Sequence, residues 1–398
     1  MPRSVAARPA WWPHFTSTVR STALTARLGR ALGIAFGICF LTGLLSYTQY
    51  LSTAWLPKPA VPVWGYRLTQ GVHVTTGLAC IPLLLVKLWS VYPTTFRWPP
   101  FRSVRRVLEI ASAVLLIAAT GVQLITGFLN LLDWYPFGWD FVVVHYALAF
   151  VVIGSLLIHV AIKLPDIRYG LGTKLADGDV LSETPWDENP ESHSNAGPLP
   201  APVTPGISRR GVLLATGTGI GLVVVSTIGQ SLRSLEPLGL LAIRQPSKGL
   251  QGVPVSETAA EAGVVDTAQD PQWKLEVVGP QPYALQLADL EPLATHTARL
   301  PVAANKGWAT AADWRGISLL DLVQRAGGGP ESRVLVRSLD RTGIKSTQIW
   351  GAQLAQALLA TELNGERLAL DHGYPLRLIA PNRAEQFCTK WLSRIEVL

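Results

Sequence analysis

The sequence contains little cysteine, only three in 398 residues. Cys39 and Cys80 lie inside apolar runs, and Cys388 stands alone near the carboxyl terminus. This spacing indicates neither a disulfide framework nor a zinc-binding cluster. Charge is also sparse, since only 15% of the residues are charged.

Apolar residues are abundant instead. They make up 48% of the chain, and the mean hydropathy is +0.28. We therefore expect a membrane protein of two or three domains. The first apolar run is too long for a cleavable signal peptide and lacks a small-residue cleavage site. Five runs reach the roughly 20 residues that a membrane-spanning helix needs: 31–50, 68–91, 107–131, 141–163 and 211–230.

Basic residues predict the orientation, because cytoplasmic segments are enriched in lysine and arginine. The leader carries arginines without any acidic residue, and so does the connection between the second and third runs: Arg3, Arg8, Arg20, Arg27, Arg30, Arg97, Arg102, Arg105 and Arg106. We expect both segments on the cytoplasmic side of the cytoplasmic membrane, and everything after residue 230 outside it. The net charge of +7 then reflects topology, so we expect membrane lipid, and no nucleic acid, as a partner.

Composition divides the chain into five parts. A basic cytoplasmic leader (1–30) precedes a four-helix membrane domain (31–163) and a proline-, serine- and acid-rich segment (164–208) that predicts a disordered cytoplasmic linker. A fifth transmembrane helix (209–232) follows. The remainder (240–398) mixes short strand-like and helix-like runs, which predicts an extracytoplasmic α+β, mainly β, domain. The fold class is thus a multidomain membrane protein: a four-helix transmembrane bundle, a fifth transmembrane helix and an outer domain.

Arg209 and Arg210 begin the fifth run, and two interpretations stay open. Paired arginines at the cytoplasmic end of a spanning helix follow from the positive-inside rule, the interpretation that we favour. The pair also resembles a twin-arginine export signal, which sends folded domains across the membrane.

Three histidines lie inside the apolar runs: His73, His145 and His159. His73 and His145 are predicted to share a depth near the outer surface. Two imidazoles that face each other in a bundle core can ligate haem iron axially. We therefore predict that His73 and His145 hold haem b, with Gly77 leaving space for the macrocycle and Arg67 meeting a propionate. The alternative is that these rings hydrogen-bond neighbouring helices or line a proton path.

His159 lies on the same helical face as His145, about 21 Å along the helix axis. A second haem at His159 would need another ligand, and His14 is the nearby candidate; otherwise His159 is a satisfied polar residue. The runs "RLTQGVHVTTGLACIPLLLVKLW" and "HYALAFVVIGSLLIHVAIKLP" resemble the four-helix cytochrome b subunits of bacterial formate dehydrogenases and hydrogenases over residues 25–165. The resemblance implies haem b and electron exchange with the quinone pool or other redox subunits.

Three blocks follow one another in the last part of the chain: "LPVAANKGWATAADWRGISLLDLVQRAG", "LNGERLALDHGYPLRLIAPNR" and "TKWLSRIEVL". They resemble the sulfite-oxidase-type molybdopterin oxidoreductases over residues 250–398. The resemblance implies a molybdopterin cofactor surrounded by His372, Arg377, Arg383 and Lys390. Arginine suits phosphate because its geometry is bidentate. The alternative for these four residues is ordinary surface charge and, for His372, the capping of a turn.

Two positions depart from the family's pattern. Ala304 stands where the family places the cysteine whose thiolate binds molybdenum, and alanine cannot donate to a metal. Glu385 stands where the family tends to have a small turn with glycine, and a carboxylate there repels an anionic phosphate unless it faces solvent. Cys388 could replace the thiolate only with a different geometry, and a buried free thiol is the common alternative.

Arg315, Arg337 and Arg341 are candidate catalytic residues, because together they would form a basic pocket for an oxyanion; ordinary surface charge is the alternative.

Two classes of function follow. The first is an enzyme in which a molybdopterin domain acting on a small oxyanion or an oxidised sulfur compound exchanges electrons with the haem. The second is a molybdenum-free scaffold or assembly subunit of a larger membrane redox complex, which Ala304 and Glu385 favour. A haem-only quinol or superoxide reductase is a third.

Overall fold

The computed structural model describes residues 19–51, 59–95, 104–175, 207–242, 244–245, 247–340 and 346–398. The chain divides into two compact units. The first unit comprises Met1–Phe40, Thr76–Asn130 and Trp134–Val224; the second comprises Leu41–Thr75, Leu131–Asp133 and Val225–Leu398. Most of the predicted linker and leader, with His14 and Arg341, lies outside the described residues.

Within these described ranges, five helices are long and apolar enough to cross a membrane. The five predicted apolar helices are therefore confirmed, whereas the four-helix packing and the orientation stay predictions. The helices are α1 (Thr22–Tyr47), α2 (Gly65–Thr95), α3 (Val104–Leu132), α4 (Phe141–Gly172) and α5 (Arg209–Ile228).

The ends of the helices differ from the ends of the apolar runs. α4 continues beyond residue 163 to Gly172, with Pro165 inside it. Lys163 Nζ donates to Asp166 Oδ2 at 3.2 Å, and the N–H of Thr173 donates to Tyr169 O at 3.0 Å at the end of the helix. Hydropathy indicates where hydrocarbon contact stops, whereas a helix ends where its last carbonyls find partners.

Residues 265–397 form a β-rich domain with short helices, which confirms the predicted mainly β character. The helices are α6 (Val265–Ala268), α7 (Leu287–Leu293), α8 (Leu319–Arg325) and α9 (Ala352–Gln356). The strands are β1 (Lys274–Val278), β2 (Tyr283–Gln286), β3 (His296–Ala303), β4 (Ala309–Ser318), β5 (Arg333–Ser338), β6 (Ser346–Trp350), β7 (Leu358–Leu363), β8 (Glu366–Arg367), β9 (Arg377–Ile379) and β10 (Leu392–Val397).

Two sheets organise the described residues of this domain. One has the strand order β2-β1-β10-β5-β6, and the other has the order β3-β4-β7-β8 with β9 paired to β7. β1 alternates exposed and buried positions, with Leu275 and Val277 buried, as expected for a strand with one face on a core. The largest apolar cluster contains these two residues together with Leu319 of α8 and Ile395 of β10. The second sheet brings the β3–β4 turn and the segment after β9 side by side, since Ala303 pairs with Ala384.

Candidate functional site

The turn between β3 and β4 contains the position at which the family resemblance implies a metal-binding cysteine. We call residues 304–308 the 304–308 loop. Ala304 is buried in an apolar cluster with Trp308 and Cys388. Its N–H donates to Trp308 O at 2.9 Å. Because a methyl group carries no lone pair, the loop presents hydrocarbon where a sulfur ligand is expected.

Polar contacts join the 304–308 loop to helix ends within the second unit. Gln70 Nε2 of α2 donates to Asn305 O at 3.1 Å, and Asn305 Nδ2 donates to the Tyr50 hydroxyl at 3.3 Å. Lys306 Nζ lies 2.6 Å from an oxygen of Asp133, directly after α3. The polar groups of the loop are thus bound to other residues of the same chain.

Gly307 lies where this loop packs tightly against Leu131 and Gln230. Its φ is +88°, and a Cβ built there would lie 2.6 Å from Leu131 Cδ2 and 3.1 Å from Gln230 Nε2. Ser231 Oγ donates to its carbonyl at 2.8 Å. Positive φ and close packing both require glycine at this position.

A second loop, after β9, contacts the start of α2. Asn382 Oδ1 accepts a hydrogen bond from the N–H of Tyr66, and Asn382 Nδ2 donates to Pro59 O at 2.7 Å. Tyr66 is buried in a cluster with Ala303 and Ala384. Both loops that carry the family resemblance therefore bind residues 59–70 of the same unit.

A cavity of about 550 Å³ opens beside the 304–308 loop. Cys388, Trp391 and polar residues line it, and the charged residues are mostly acidic. At neutral pH the charge of the lining is therefore negative. These charged residues are Asp133, Glu257, Glu261, Asp340, Glu385, Lys306 and Lys390.

His372 lies in the 3₁₀ turn before β9 and is completely buried. Its Nε2 lies 2.6 Å from Leu250 O, so Nε2 carries the proton and donates it. Its Nδ1 has no hydrogen-bond partner among the described residues. Burial, assisted by the charge of Arg377, lowers the pKa of His372 to about 4. The imidazole is therefore neutral at physiological pH.

Arg377 and Glu385 form a buried ion pair. Arg377 Nη2 lies 2.9 Å from Glu385 Oε1, and the two side chains are 1% and 8% exposed. Burial alone raises the pKa of Glu385, but the charges of Lys390 and Arg377 outweigh it and hold that pKa below its usual value. The positive charge of Arg377 is thus neutralised inside the domain.

Arg383 and Lys390 are also buried and bonded to the protein. Arg383 Nη1 donates to Gln353 Oε1 at 3.2 Å, and burial lowers the pKa of Arg383 to about 10. Lys390 Nζ donates to Glu257 O at 2.6 Å and to Asp371 O at 3.0 Å, and burial lowers its pKa to about 8. Of the four predicted cofactor residues, His372, Arg377 and Lys390 interact electrostatically with Glu385.

The predicted oxyanion arginines lie on different sheets. Arg315 on β4 forms an ion pair with Glu362 on β7. Arg337 on β5 donates from Nε to Glu396 Oε1 on β10 at 2.8 Å. Arg341 lies outside the described residues. The structure therefore does not bring Arg315 and Arg337 together, and each guanidinium already has a carboxylate.

His73 lies on α2, within the second unit. Its Nδ1 is 3.4 Å from Thr42 Oγ1 on α1, and a Cβ built at Gly43 would lie 3.0 Å from His73 Cε1. Arg67, predicted to meet a haem propionate, donates to Ser231 O at 2.8 Å.

His145 lies on α4, within the first unit. Its Nδ1 is 3.3 Å from Thr126 Oγ1 on α3, and a Cβ built at Gly127 would lie 3.5 Å from His145 Cε1. Gln123 Nε2 donates to His145 O at 3.1 Å. Each of the two rings therefore lies against a Thr-Gly pair.

His159 and Gly77 are both in the first unit. The Nδ1 of His159 is buried and has no hydrogen-bond partner within the described ranges, and the charges of Lys87, Lys163 and Glu109 act on it. A Cβ at Gly77 would lie 3.8 Å from Cys39 Sγ, an ordinary contact distance.

Sequence reasoning missed the acidic residues around the cavity and the threonines beside the histidines. Asp133 and Asp340 are single acids that follow an apolar helix and a strand, and their convergence depends on long-range packing. For the threonines the sequence contained a signal, because a Thr-Gly pair occurs in similar contexts at 42–43 and 126–127.

The last part of this chain is similar to known oxidoreductases. Residues 261–398 match the family described as "Oxidoreductase molybdopterin binding domain". Mitochondrial sulfite oxidase of Mus musculus is 30% identical over 159 residues, which cover 31% of this chain and 29% of the mouse protein. The uncharacterized oxidoreductase YuiH of Bacillus subtilis is 25% identical over 150 residues, or 37% of this chain and 76% of YuiH.

Among solved structures, the sulfane dehydrogenase SoxCD of Paracoccus pantotrophus matches 33% of this chain and 38% of its own, with 21% identity and a TM-score of 0.30. This chain thus spans less than a third of the mouse sulfite oxidase. Its C-terminal region is a sulfite-oxidase-like domain of the molybdopterin-binding oxidoreductase type.

Proposed function

We propose that this protein transfers electrons in the cytoplasmic membrane through a haem b ligated by His73 and His145, and that its sulfite-oxidase-like domain holds no molybdenum. The amino terminus is cytoplasmic and the domain extracytoplasmic, as the arginine distribution favours. The domain is a docking or assembly module for other redox subunits, and the helices exchange electrons with the quinone pool. The buried Ala304 at the metal-ligand position carries the molybdenum-free part of the proposal.

The residues of the domain do not fit a molybdenum cofactor held in the family's manner. Ala304 supplies no sulfur. Arg377 is paired with Glu385, and two N–H donors of Lys390 bond backbone carbonyls, so a pterin phosphate would compete with the protein's own partners for both side chains. The acidic lining of the cavity repels a phosphate as well.

The 304–308 loop has a different task in this proposal. Its contacts with Gln70, Asp133 and Ser231 attach the domain to helix ends of the second unit. The Lys306–Asp133 pair is only 18% and 28% exposed, so solvent screens it less than a surface pair. A loop that elsewhere presents a metal ligand thus attaches the domain to the membrane helices.

The surroundings of each histidine support the proposed axial ligation. Each ring has its Nδ1 beside a threonine hydroxyl, and an imidazole that donates through Nδ1 presents the lone pair of Nε2 to a metal. A polar ring in a membrane span is costly unless it has such a role. The haem would supply reversible one-electron transfer.

The haem assignment is tested with His73→Ala and His145→Ala in the full chain, purified in detergent. We expect each variant to lose the b-type absorption spectrum, because each lacks an axial ligand. His159→Ala is the matched control, the third histidine of the membrane helices, and should retain the spectrum. A His73→Ala protein with an unchanged reduced-minus-oxidised spectrum would refute the assignment.

A molybdopterin-dependent oxidoreductase acting on a small sulfur oxyanion is the second candidate, and the similarity to sulfite oxidase favours it. Cys388 lines the cavity and shares an apolar cluster with Ala304. Burial raises the pKa of the Cys388 thiol, which opposes formation of the metal-binding thiolate. The two candidates differ in the molybdenum content of the purified protein.

A further inference from the structure

The helices α1 and α3 contain the same short pattern, "LTGLL" at 41–45 and "ITGFL" at 125–129. In each case the Thr-Gly pair lies against the histidine of the helix that follows in the chain. The two helix pairs α1–α2 and α3–α4 therefore repeat one local arrangement. The members are Thr42, Gly43 and His73 in the first pair, and Thr126, Gly127 and His145 in the second.

The contacts of Thr126 determine which ring nitrogen of His145 carries the proton. Thr126 Oγ1 lies 2.8 Å from Val122 O and 3.3 Å from His145 Nδ1. A hydroxyl has one proton, and the shorter contact takes it, as is common for threonine within a helix. Oγ1 must then accept a hydrogen bond from the Nδ1–H of His145. In this tautomer the lone pair lies on Nε2.

We propose that Thr126, and Thr42 in the equivalent place, are positioning residues that fix the tautomer and the donor strength of the haem-ligand histidines. The inference rests on the proposed haem ligation. A metal-binding histidine that donates its second ring N–H to an oxygen is held in orientation and becomes a more basic ligand. A more basic ligand stabilises oxidised iron, so loss of the hydroxyl raises the midpoint potential.

The glycine of the first pair gives its ring space, whereas the second pair leaves more room. At Gly43 a methyl group would approach the His73 ring to 3.0 Å, which forces the ring to move; at Gly127 the corresponding distance to the His145 ring is 3.5 Å, an ordinary contact. In both pairs the threonine hydroxyl lies beside Nδ1 of the ring; only at His73 does the ring also depend on glycine at the next position.

The test uses the full chain in detergent and three variants of α3. Thr126→Val removes the hydroxyl at nearly constant volume, and Thr126→Ser keeps it. Thr120→Val is the matched control, because Thr120 is a buried threonine of the same helix whose hydroxyl has no hydrogen-bond partner in the described part of the chain. The readouts are haem content, midpoint potential and the near-infrared ligand-to-iron charge-transfer band.

We expect Thr126→Val to raise the midpoint potential and to move the charge-transfer band to longer wavelength, while Thr126→Ser and Thr120→Val leave both unchanged. Thr126→Val could fail to bind haem at all, and Thr126→Ser then decides. Full haem content and an unchanged midpoint potential in Thr126→Ser support the proposal. A lower haem content or a changed midpoint potential in Thr126→Ser overturns it. A Thr126→Val protein with the wild-type potential and band also overturns it while haem ligation stands. Absence of haem from the wild-type protein overturns the proposed function itself.

Discussion

His372 is a neutral imidazole enclosed in the outer domain, and its burial links stability to pH. Its pKa falls from 6.5 to about 4 on folding. Between these values the unfolded chain binds the proton and the folded chain does not, so stability is lost as pH falls through this window. The buried carboxylate of Glu385, whose pKa is lowered, adds a further loss only below its ordinary value of 4.5.

We expect the outer domain to lose about 1.5 kcal/mol of unfolding free energy between pH 6.5 and about 5 through His372 alone. His372→Gln keeps a donor for Leu250 O but does not titrate, so its thermal unfolding temperature should change less over the same range. The measurement is tryptophan fluorescence of the detergent-purified protein during heating. Equal pH dependence of the wild type and the variant would contradict the burial argument.

Single residues show how far the sequence predicts the site. Ala304 could be identified from the sequence alone, because its place in the block "PVAANKGW" determines which residue replaces the ligand. The role of Glu385 could not. A carboxylate there was expected to repel a phosphate, and the structure shows that it forms a buried pair with Arg377. The sequence shows that Arg377 and Glu385 carry opposite charges, but whether they pair depends on how the chain between them folds.

At the level of elements, the 304–308 loop joins the domain to the helix ends of the second unit. Gly307→Ala should destabilise this junction by about 1–3 kcal/mol, because the new methyl group meets Leu131 and the positive φ is strained. We expect a lower unfolding temperature of the outer domain by scanning calorimetry.

Gly365→Ala is the matched control for this substitution. Gly365 has a φ of +84°, close to the +88° of Gly307, but no atom lies within 4 Å of its added Cβ. Gly365→Ala should lower the unfolding free energy by about 1 kcal/mol, through backbone strain alone. Equal effects of the two substitutions would show that the contact between Gly307 and Leu131 does not contribute.

Helices and strands were predicted with unequal precision. Five apolar runs gave five helices, because twenty or so lipid-compatible residues have few alternatives to a helix. The end of α4 was missed, since Lys163 and Asp166 lower hydropathy but pair with each other on the helix. The β-rich character of the outer domain followed from its short strand-like runs, whereas its sheet order depends on distant pairs such as β1 with β10.

At the level of the whole molecule, the proposed function combines two features: haem-ligand histidines in the apolar helices, and a domain similar to molybdopterin-binding oxidoreductases with alanine at the ligand position. Orientation was predicted from the arginine distribution and function from family resemblance, and both stay predictions. Which cofactor binds depends on individual ligand atoms, such as the sulfur that Ala304 lacks. General resemblance to a family does not determine these atoms.

The most direct test of the account is the metal content of the detergent-purified wild-type protein, measured by plasma mass spectrometry together with a dithionite-reduced difference spectrum. We expect one b-type haem per chain and no molybdenum above the background of a mock purification. Stoichiometric molybdenum would contradict the molybdenum-free domain, and the absence of a haem spectrum would contradict the electron-transfer function.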